Sequence, residues 1–459
     1  MSADKEAVLQ VKGYQHDRGY AVTILSIILI AVFAPYPALF PWAIALLGLT
    51  LGLLPISFLK EEDRAFLFKI FFYGYLSRVL VACILHLATM RYERNPGFLI
   101  DDGWTYSVNG WAIANKLERG LPIDTESVRS ISVTNTVNLY DYINGWIYFI
   151  VGYNPLTVFF LNCFLGAVTP LFLYFMTRSI FNRSAARLTA ILCGFWPSIF
   201  LWSTQNLKEP LNVFLVVVCF WAFILFLKRI NPFYLAIGGF ALYALLRLRS
   251  IVAGIIVISV ILQLLFLIIR LIKRWPVLFL AMIPIFVIAA INSNHIIEQY
   301  MSLIQNSGMD VSSIARTTGE LRKARASHSL AILPDYEIVD FRSLIVYLPV
   351  GLIAVLFAPF PWQVFSVSQM MAGPEMLVWY LMFSNTAKGA WFALKKKSEY
   401  TVCIFAYIMM ILMILGAIEG NAGTIFRHRS IAMVFLLMFM AVGIDMKEKR
   451  GVQYACKDE

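Results

Sequence analysis

Apolar windows long enough to cross about 30 Å of hydrocarbon recur along nearly the whole chain, separated by short polar clusters. The pattern predicts spans at about 20–34, 39–58, 65–90, 155–177, 186–203, 210–227, 232–246, 250–269 and 276–292. Further apolar segments follow at 343–359 and 376–394, and the last two spans fall at about 400–417 and 430–444. Two longer polar stretches interrupt this rhythm, at 91–153 and 293–341.

Lysines and arginines flanking a span favour the cytoplasmic side. The tail 1–19, with Lys5, Lys12 and Arg18, is therefore expected inside, as is the tail 445–459. "KEEDR" at 60–64, the basic turn with Arg178, Arg183 and Arg187, and the clusters at Lys228–Arg229 and Arg270–Arg274 alternate with the spans as this rule demands. The loops 91–153 and 293–341 then lie outside. Alternation fails once beyond this point. Two full spans in 343–394 would put the lysine triplet 395–397 and "KEKR" at 447–450 outside. One segment within 343–375 is therefore expected not to cross, with "FAPFPW" at 357–362 interrupting it. Non-helical backbone is tolerated at depth where protein buries it.

The expectation is an all-α polytopic membrane protein: a single transmembrane domain over 1–459, with about 11–12 spans and interfacial helices in the first outer loop. The composition agrees, at 60% hydrophobic and 14% charged, against about half and a quarter in soluble chains. No polar stretch is long enough for a soluble domain, and no cleavable signal peptide is expected. The net charge of +11 is read as juxtamembrane topology signals, not a nucleic-acid surface. The six cysteines have neither metal-ligand nor disulfide spacing and are read as small core residues.

Candidate chemistry begins with "NPGFLIDDGWTYSVNGWAIANKLERG" at 95–120. Trp104, Val108, Trp111, Ala114 and Leu117 fall at helical steps of three and four, and Gly120 with Pro122 ends the helix. Asp101 and Asp102 sit at its N-terminus, with Tyr106 and Asn109 on the face opposite the apolar stripe. One Asp serves as an N-cap. Two in succession, beside Arg91 and Arg94, exceed what a cap requires and mark a candidate catalytic or metal-binding pair. Outer-side cations accompany them: Lys208 beside Glu209, Arg247 and Arg249 in "LRLRS", and Arg427, His428 and Arg429 in "EGNAGTIFRHRS". Cations on that side oppose the topological rule, and a lipid phosphate or pyrophosphate would compensate them; pairing with nearby carboxylates and lipid headgroups is the plainer alternative. Arg78 lies inside an apolar span, where a lone charge costs roughly 2.5–3.5 kcal/mol or more, and is expected to face the bundle interior.

The outer Asp pair followed by a helix with a Tyr and a terminating Gly resembles the first outer loop of the GT-C superfamily of glycosyltransferases, which includes protein O-mannosyltransferases and lipid A aminoarabinose transferases. "NPLTVFFLNCFLGAVTPLFLYFMTRSIFNRSAARLTAILCGFWPSIFLWSTQNLKEPLNVFL" is similar to the segment that follows in that superfamily. The likeness covers about 80–220. It implies a polyprenyl-phosphate sugar donor and a glycan, lipid or protein acceptor. The active site would lie on the outer face of a plasma (inner) membrane. It also implies Asp101 or Asp102 as the catalytic base, Glu209 as the second acid, and a phosphate-binding set drawn from Tyr106, Lys208, Arg247, Arg249, Arg427, His428 and Arg429. The chain departs from the family pattern in two respects. The Tyr falls four residues after Asp102 instead of three, and the hairpin 20–58 is additional.

The residues suit that chemistry in their own right. Inverting transfer needs a carboxylate to accept the acceptor's proton and cations for the departing phosphate. No cofactor is required, although Asp102 and Glu209 could hold a divalent cation such as magnesium or manganese. Two other classes stand beside this one. A polysaccharide polymerase or ligase using diphosphate-linked oligosaccharides would suit the loop 293–341, with Arg316, Arg322, Lys323, Arg325 and His328, but has no need of an outer Asp pair. A secondary transporter would place acids near mid-membrane in symmetric repeats, and neither feature is present.

Overall fold

The computed structural model describes residues 39–59, 61–92, 95–130, 132, 137–274, 311–326, 332–333, 336–361 and 372–455. The expected spans at 20–34 and 276–292 lie outside these residues. Among the described residues there are helices and no strands, and seven helices are long and apolar enough to cross a membrane. The chain is an all-α polytopic membrane protein. It divides into two compact units, one of residues up to Ala253 together with those from Met440 onward, the other Gly254–Phe439.

In the first unit, α1 (Phe40–Ser57) and α2 (Glu61–Thr89) form a hairpin. Gly48 and Gly52, one turn apart, leave no room for a side chain against Tyr75 and Phe71. Those two rings stack at 5.7 Å in the gap, the small-residue approach that membrane helices favour. α3 (Asp101–Glu118), the short α4 (Thr125–Arg129) and α5 (Leu139–Val151) make up the first polar stretch. α6 (Pro155–Ile180), α7 (Arg183–Phe195), α8 (Pro197–Trp202) and α9 (Glu209–Arg229) follow. Asparagines cap several of these: Asn138, Asn154 and Asn182 each accept a first-turn amide.

The predicted span 186–203 is broken into α7 and α8 at Trp196, where the backbone is extended ahead of Pro197. Arg78 explains how the break is tolerated. The guanidinium is fully buried and donates to the Gly194 carbonyl at 2.8 Å, the Ser203 hydroxyl at 2.8 Å and the Gly74 carbonyl at 2.9 Å. It therefore binds the carbonyl end of α7, where a cation is favoured. At the other end of α2, buried Asp63 accepts from Arg183 at 2.8 Å and from Arg178, with Arg187 at 4.0 Å. This cluster brings Glu62 and Asp63 and the basic turn to one end of the unit, as the charge pattern predicts. Asp101 follows the opposite end of α2.

α10 (Pro232–Arg274) and, in the second unit, α13 (Gly373–Ile418) are too long for single spans, at about 65 and 69 Å if straight. Each contains one non-helical residue, Arg249 and Lys397 respectively. These are the positions where the charge pattern places turns between spans. At Lys397 the reversal is sharp. The Thr401 hydroxyl reaches the Ala393 carbonyl at 3.0 Å, two atoms that a straight helix would hold about 12 Å apart. Gln263 supports the corner, donating to the Ser398 carbonyl at 3.2 Å and accepting from the Cys403 amide at 3.1 Å.

The second unit also holds α11 (Val311–Arg325), α12 (Phe341–Phe357) and α14 (Ala422–His428), and α15 (Ser430–Ala455) begins in it. α12, with 17 residues, is shorter than the seven candidate spans. Trp379, Tyr380 and Arg429 donate to the carbonyls of Leu356, Phe357 and Ala358 at 2.7–2.9 Å. Residues 362–371, part of the segment expected not to cross, lie outside the described residues.

Candidate active site

The acid pair is placed by the end of α2. The Thr89 carbonyl accepts the amides of Tyr92 and Gly97, both at 3.0 Å. Gly97 has φ +84°, and the His86 ring packs where a side chain would stand; His86 Nδ1 also lies 2.8 Å from the Gly97 carbonyl. This tight reversal delivers the chain to Ile100, whose extended backbone starts α3. Asp101 and Asp102 occupy the first turn, at the positive end of the helix. Asp101 is exposed and accepts from the Asn95 side-chain amide at 2.6 Å. Asp102 is half-buried.

Asp102, Tyr106 and Asn109 share one helical face. Tyr106 and Asn109 are buried against α5, where the Tyr106 ring meets Tyr140 edge-on at 5.2 Å and Asn109 donates to Asp141 at 3.0 Å. Gly110 and Gly145 let the two helices touch along their backbones. Trp111 is exposed, as the apolar stripe predicts, but Ala114 is fully buried and belongs to the packed side of α3. Gly120, at φ +65°, ends the helix with a Leu121 amide bond back to Lys116.

The loop 203–208, which connects α8 to α9, is buried as far as Leu207 beneath this pair of helices, and Lys208 is half-buried. Asn206 is completely buried. Its Oδ1 accepts the Tyr140 hydroxyl at 2.8 Å, and its Nδ2 donates to Asn144 at 3.0 Å and to the Gly103 carbonyl at 3.2 Å. Asn162 of α6 completes the network, donating to the Tyr140 hydroxyl at 2.8 Å and to the Gln205 and Leu207 carbonyls at 2.6 and 2.8 Å.

The loop carries Lys208 and Glu209 to the same place. Lys208 Nζ lies 5.6 Å from the centre of the Tyr106 ring, one turn beyond Asp102. Glu209 is buried in the first turn of α9, close enough to Tyr140 to disfavour its phenolate. Burial pushes the Asp141 carboxyl above its ordinary range, while the Asn138 amide, the Asn109 side chain and the Lys208 charge work against that rise. Burial likewise holds the Tyr140 phenol protonated, far above its usual value.

The structure thus brings Asp101, Asp102, Tyr106, Lys208 and Glu209 into one neighbourhood of the first unit. It adds Asp141, Tyr140, Asn144, Asn162 and Asn206, which the sequence reading did not assign to the site. A signal for them existed: Asn162 stands alone in an apolar span, and polar side chains at such positions are expensive and commonly functional. Arg247 is exposed, and Arg249 sits at the bend of α10.

Arg427, His428 and Arg429 belong to the second unit. Arg429 is buried, with Glu375 at 3.4 Å and the Ala358 carbonyl at 2.9 Å, and its guanidinium stands over the Phe426 ring. His428 Nδ1 lies 2.8 Å from Glu419, which also accepts from Arg325 at 2.6 Å. Arg427 is half-buried, 3.4 Å from His428 Nε2. Among the described residues no group of three or more His, Cys, Asp or Glu side chains gathers as a metal centre.

The family of dolichyl-phosphate-mannose-protein mannosyltransferases matches the chain over residues 138–293. The match begins at the Asn138 cap and takes in Asn162, the loop 203–208, Glu209 and the bend at Arg249; the Asp pair precedes it. No curated protein shows a significant match to the chain.

Proposed function

From the match to the dolichyl-phosphate-mannose-protein mannosyltransferase family over residues 138–293, we propose that the chain is a glycosyltransferase of the GT-C type that transfers a sugar from a polyprenyl-phosphate donor to an acceptor hydroxyl, with inversion, on the extracytoplasmic face of a plasma membrane. The observation that carries this reading is the meeting of the Asp101–Asp102 turn with the Lys208–Glu209 segment through Asn206 and Tyr106. A carboxylate and a cation on adjoining segments are what the reaction requires.

In the proposed mechanism, Asp102 accepts the proton of the acceptor hydroxyl. The acceptor oxygen bonds to the anomeric carbon as the bond from that carbon to the phosphate oxygen breaks. The electron pair leaves with the lipid phosphate, and Lys208, Arg247 and Arg249 offset its charge. Asp102 is favoured over Asp101 because it shares the face of Tyr106, whereas Asp101 is tied to Asn95. Glu209 orients the acceptor or donor hydroxyls. The reaction as written needs no cofactor; a magnesium or manganese ion held by Asp102 and Glu209 would add electrostatic stabilisation of the phosphate. The acceptor is a glycan, lipid or protein hydroxyl.

The test is incubation of the purified protein with polyprenyl-phosphate and polyprenyl-diphosphate sugars, with and without chelator, scoring lipid-phosphate release. Release from monophosphate donors supports the reading. Turnover of diphosphate-linked oligosaccharides alone would replace it with a polymerase or ligase.

A further inference from the structure

We propose that Asn206 is a positioning residue, which fixes the turn bearing Asp101 and Asp102 against the segment bearing Lys208 and Glu209. The inference rests on the reading above for its catalytic consequence, but not for its structural content. Asn206 lies two residues before Lys208 and three before Glu209. Its side chain donates to the carbonyl of Gly103, the residue after Asp102. The backbones are also in contact, since a Cβ on Gly103 would stand 3.1 Å from the Asn206 carbonyl oxygen. One residue therefore links the two segments through both its side chain and its main chain.

The amide is the group this position requires. Its oxygen accepts from Tyr140, and its nitrogen donates to Asn144 and to Gly103. An Asp would set lone pairs against two acceptors, and a Gln, one methylene longer, would shift the amide away from its three partners in a completely buried site. An aliphatic residue would leave the buried Asn144 and Gly103 oxygens without this donor. Tyr140 transmits the arrangement further. Its hydroxyl donates to Asn206 while accepting from Asn162, so α5 and α6 hold the amide in a single orientation. Rigid support of this kind matters because displacement of a reacting group by about 1 Å can cost roughly 100-fold in rate.

The experiment uses the full-length protein in lipid nanodiscs and compares wild type, Asn206→Ala, Tyr140→Phe and the double variant. Two measurements are made: hydrogen–deuterium exchange at the amides of 101–106 and 206–208, and steady-state turnover with a polyprenyl-phosphate sugar. Asn206→Ala should raise exchange in those two segments while α6 and α9 keep wild-type protection. Its kcat should fall about 10- to 100-fold, with the donor KM within about threefold of wild type. Tyr140→Phe, the milder change, should do the same to a smaller extent. The double variant should be little worse than Asn206→Ala, because both changes remove one shared bond. Unchanged exchange in the two segments would overturn the proposal, as would loosening spread evenly through α6 and α9. Localised exchange in a protein whose wild type is inert toward every polyprenyl-phosphate sugar would support the positioning role and overturn the transferase reading instead.

Discussion

Lys208 holds its ammonium over the Tyr106 ring, 5.6 Å from the ring centre. The contact sets a cation one helical turn from Asp102, and the Lys208 charge also reaches buried Asp141. If the donor phosphate sits beside this ammonium, Lys208→Gln should raise the donor KM about tenfold or more, while the folded protein keeps its unfolding midpoint. Tyr106→Leu, which removes the ring face together with its packing on Tyr140, should have a smaller effect on the donor KM, since a cation–π contact of this kind is worth about 0.5–1 kcal/mol. Donor titrations of both variants check this, and an unchanged KM for Lys208→Gln would remove Lys208 from the phosphate site.

Arg78 is expected to act on stability and not on chemistry. Its three donors serve Gly74, Gly194 and Ser203 inside the bundle. Arg78→Met would strand the carbonyl end of α7 and should destabilise the protein by about 3 kcal/mol. Thermal unfolding in detergent would show it as a clear drop in midpoint. A midpoint equal to wild type would contradict the role assigned to it.

Arg427 and Arg429 should separate in their effects. Arg429 is buried between Glu375 and the end of α12, so Arg429→Ala should lower the unfolding midpoint by leaving Glu375 in place without its guanidinium. Arg427 is half-buried. Arg427→Ala should leave the midpoint near wild type. A drop in midpoint for Arg427→Ala as large as that for Arg429→Ala would refute this division.

Acid should weaken the second unit through Glu419. Burial raises its carboxyl, but the His428 hydrogen bond and charge, with Arg325, outweigh burial and hold it below its ordinary value of 4.5. The folded state thus releases this proton more readily than the unfolded one. The resulting stability is present above the unfolded value and is lost as pH falls through the lower folded value. Asp141, whose carboxyl is raised, contributes in the opposite sense: its burial disfavours the ionised folded state, so stability from it declines as pH rises between its unfolded and folded values. Glu419→Gln should flatten the loss of unfolding midpoint below about pH 4.5, read by thermal melts across pH. An acid limb as steep as wild type would count against the Glu419 ion pairs.

The architecture was legible where hydropathy and charge act alone. Helix periods, the Asp63 end of the first unit and both corners, at Arg249 and Lys397, follow from span length and the cost of placing charge in lipid. The break at Trp196 was less visible, because Pro197 is read as a local feature until Arg78 is seen at the freed carbonyls. The site was legible in its charged members and not in its amides. Asp101, Asp102, Lys208 and Glu209 announce themselves by charge at span ends. Asn206, Asn144 and Asn162 act through contacts between residues 22 to 103 positions apart, and no local pattern encodes those. Arg429 shows the converse: its charge suggested a ligand, while its partner Glu375 lies 54 residues away.

The role of Asp102 as base is read out by single-turnover release of lipid phosphate from a polyprenyl-phosphate sugar. Wild type, Asp101→Asn and Asp102→Asn are compared at saturating donor and acceptor. Asp102→Asn should remain folded, bind donor and lose about 100- to 10,000-fold in rate, as removal of a general base does. Asp101→Asn, which keeps a hydrogen-bonding group beside Asn95, should lose far less. Near wild-type release by Asp102→Asn would contradict the assignment of this carboxylate as the base.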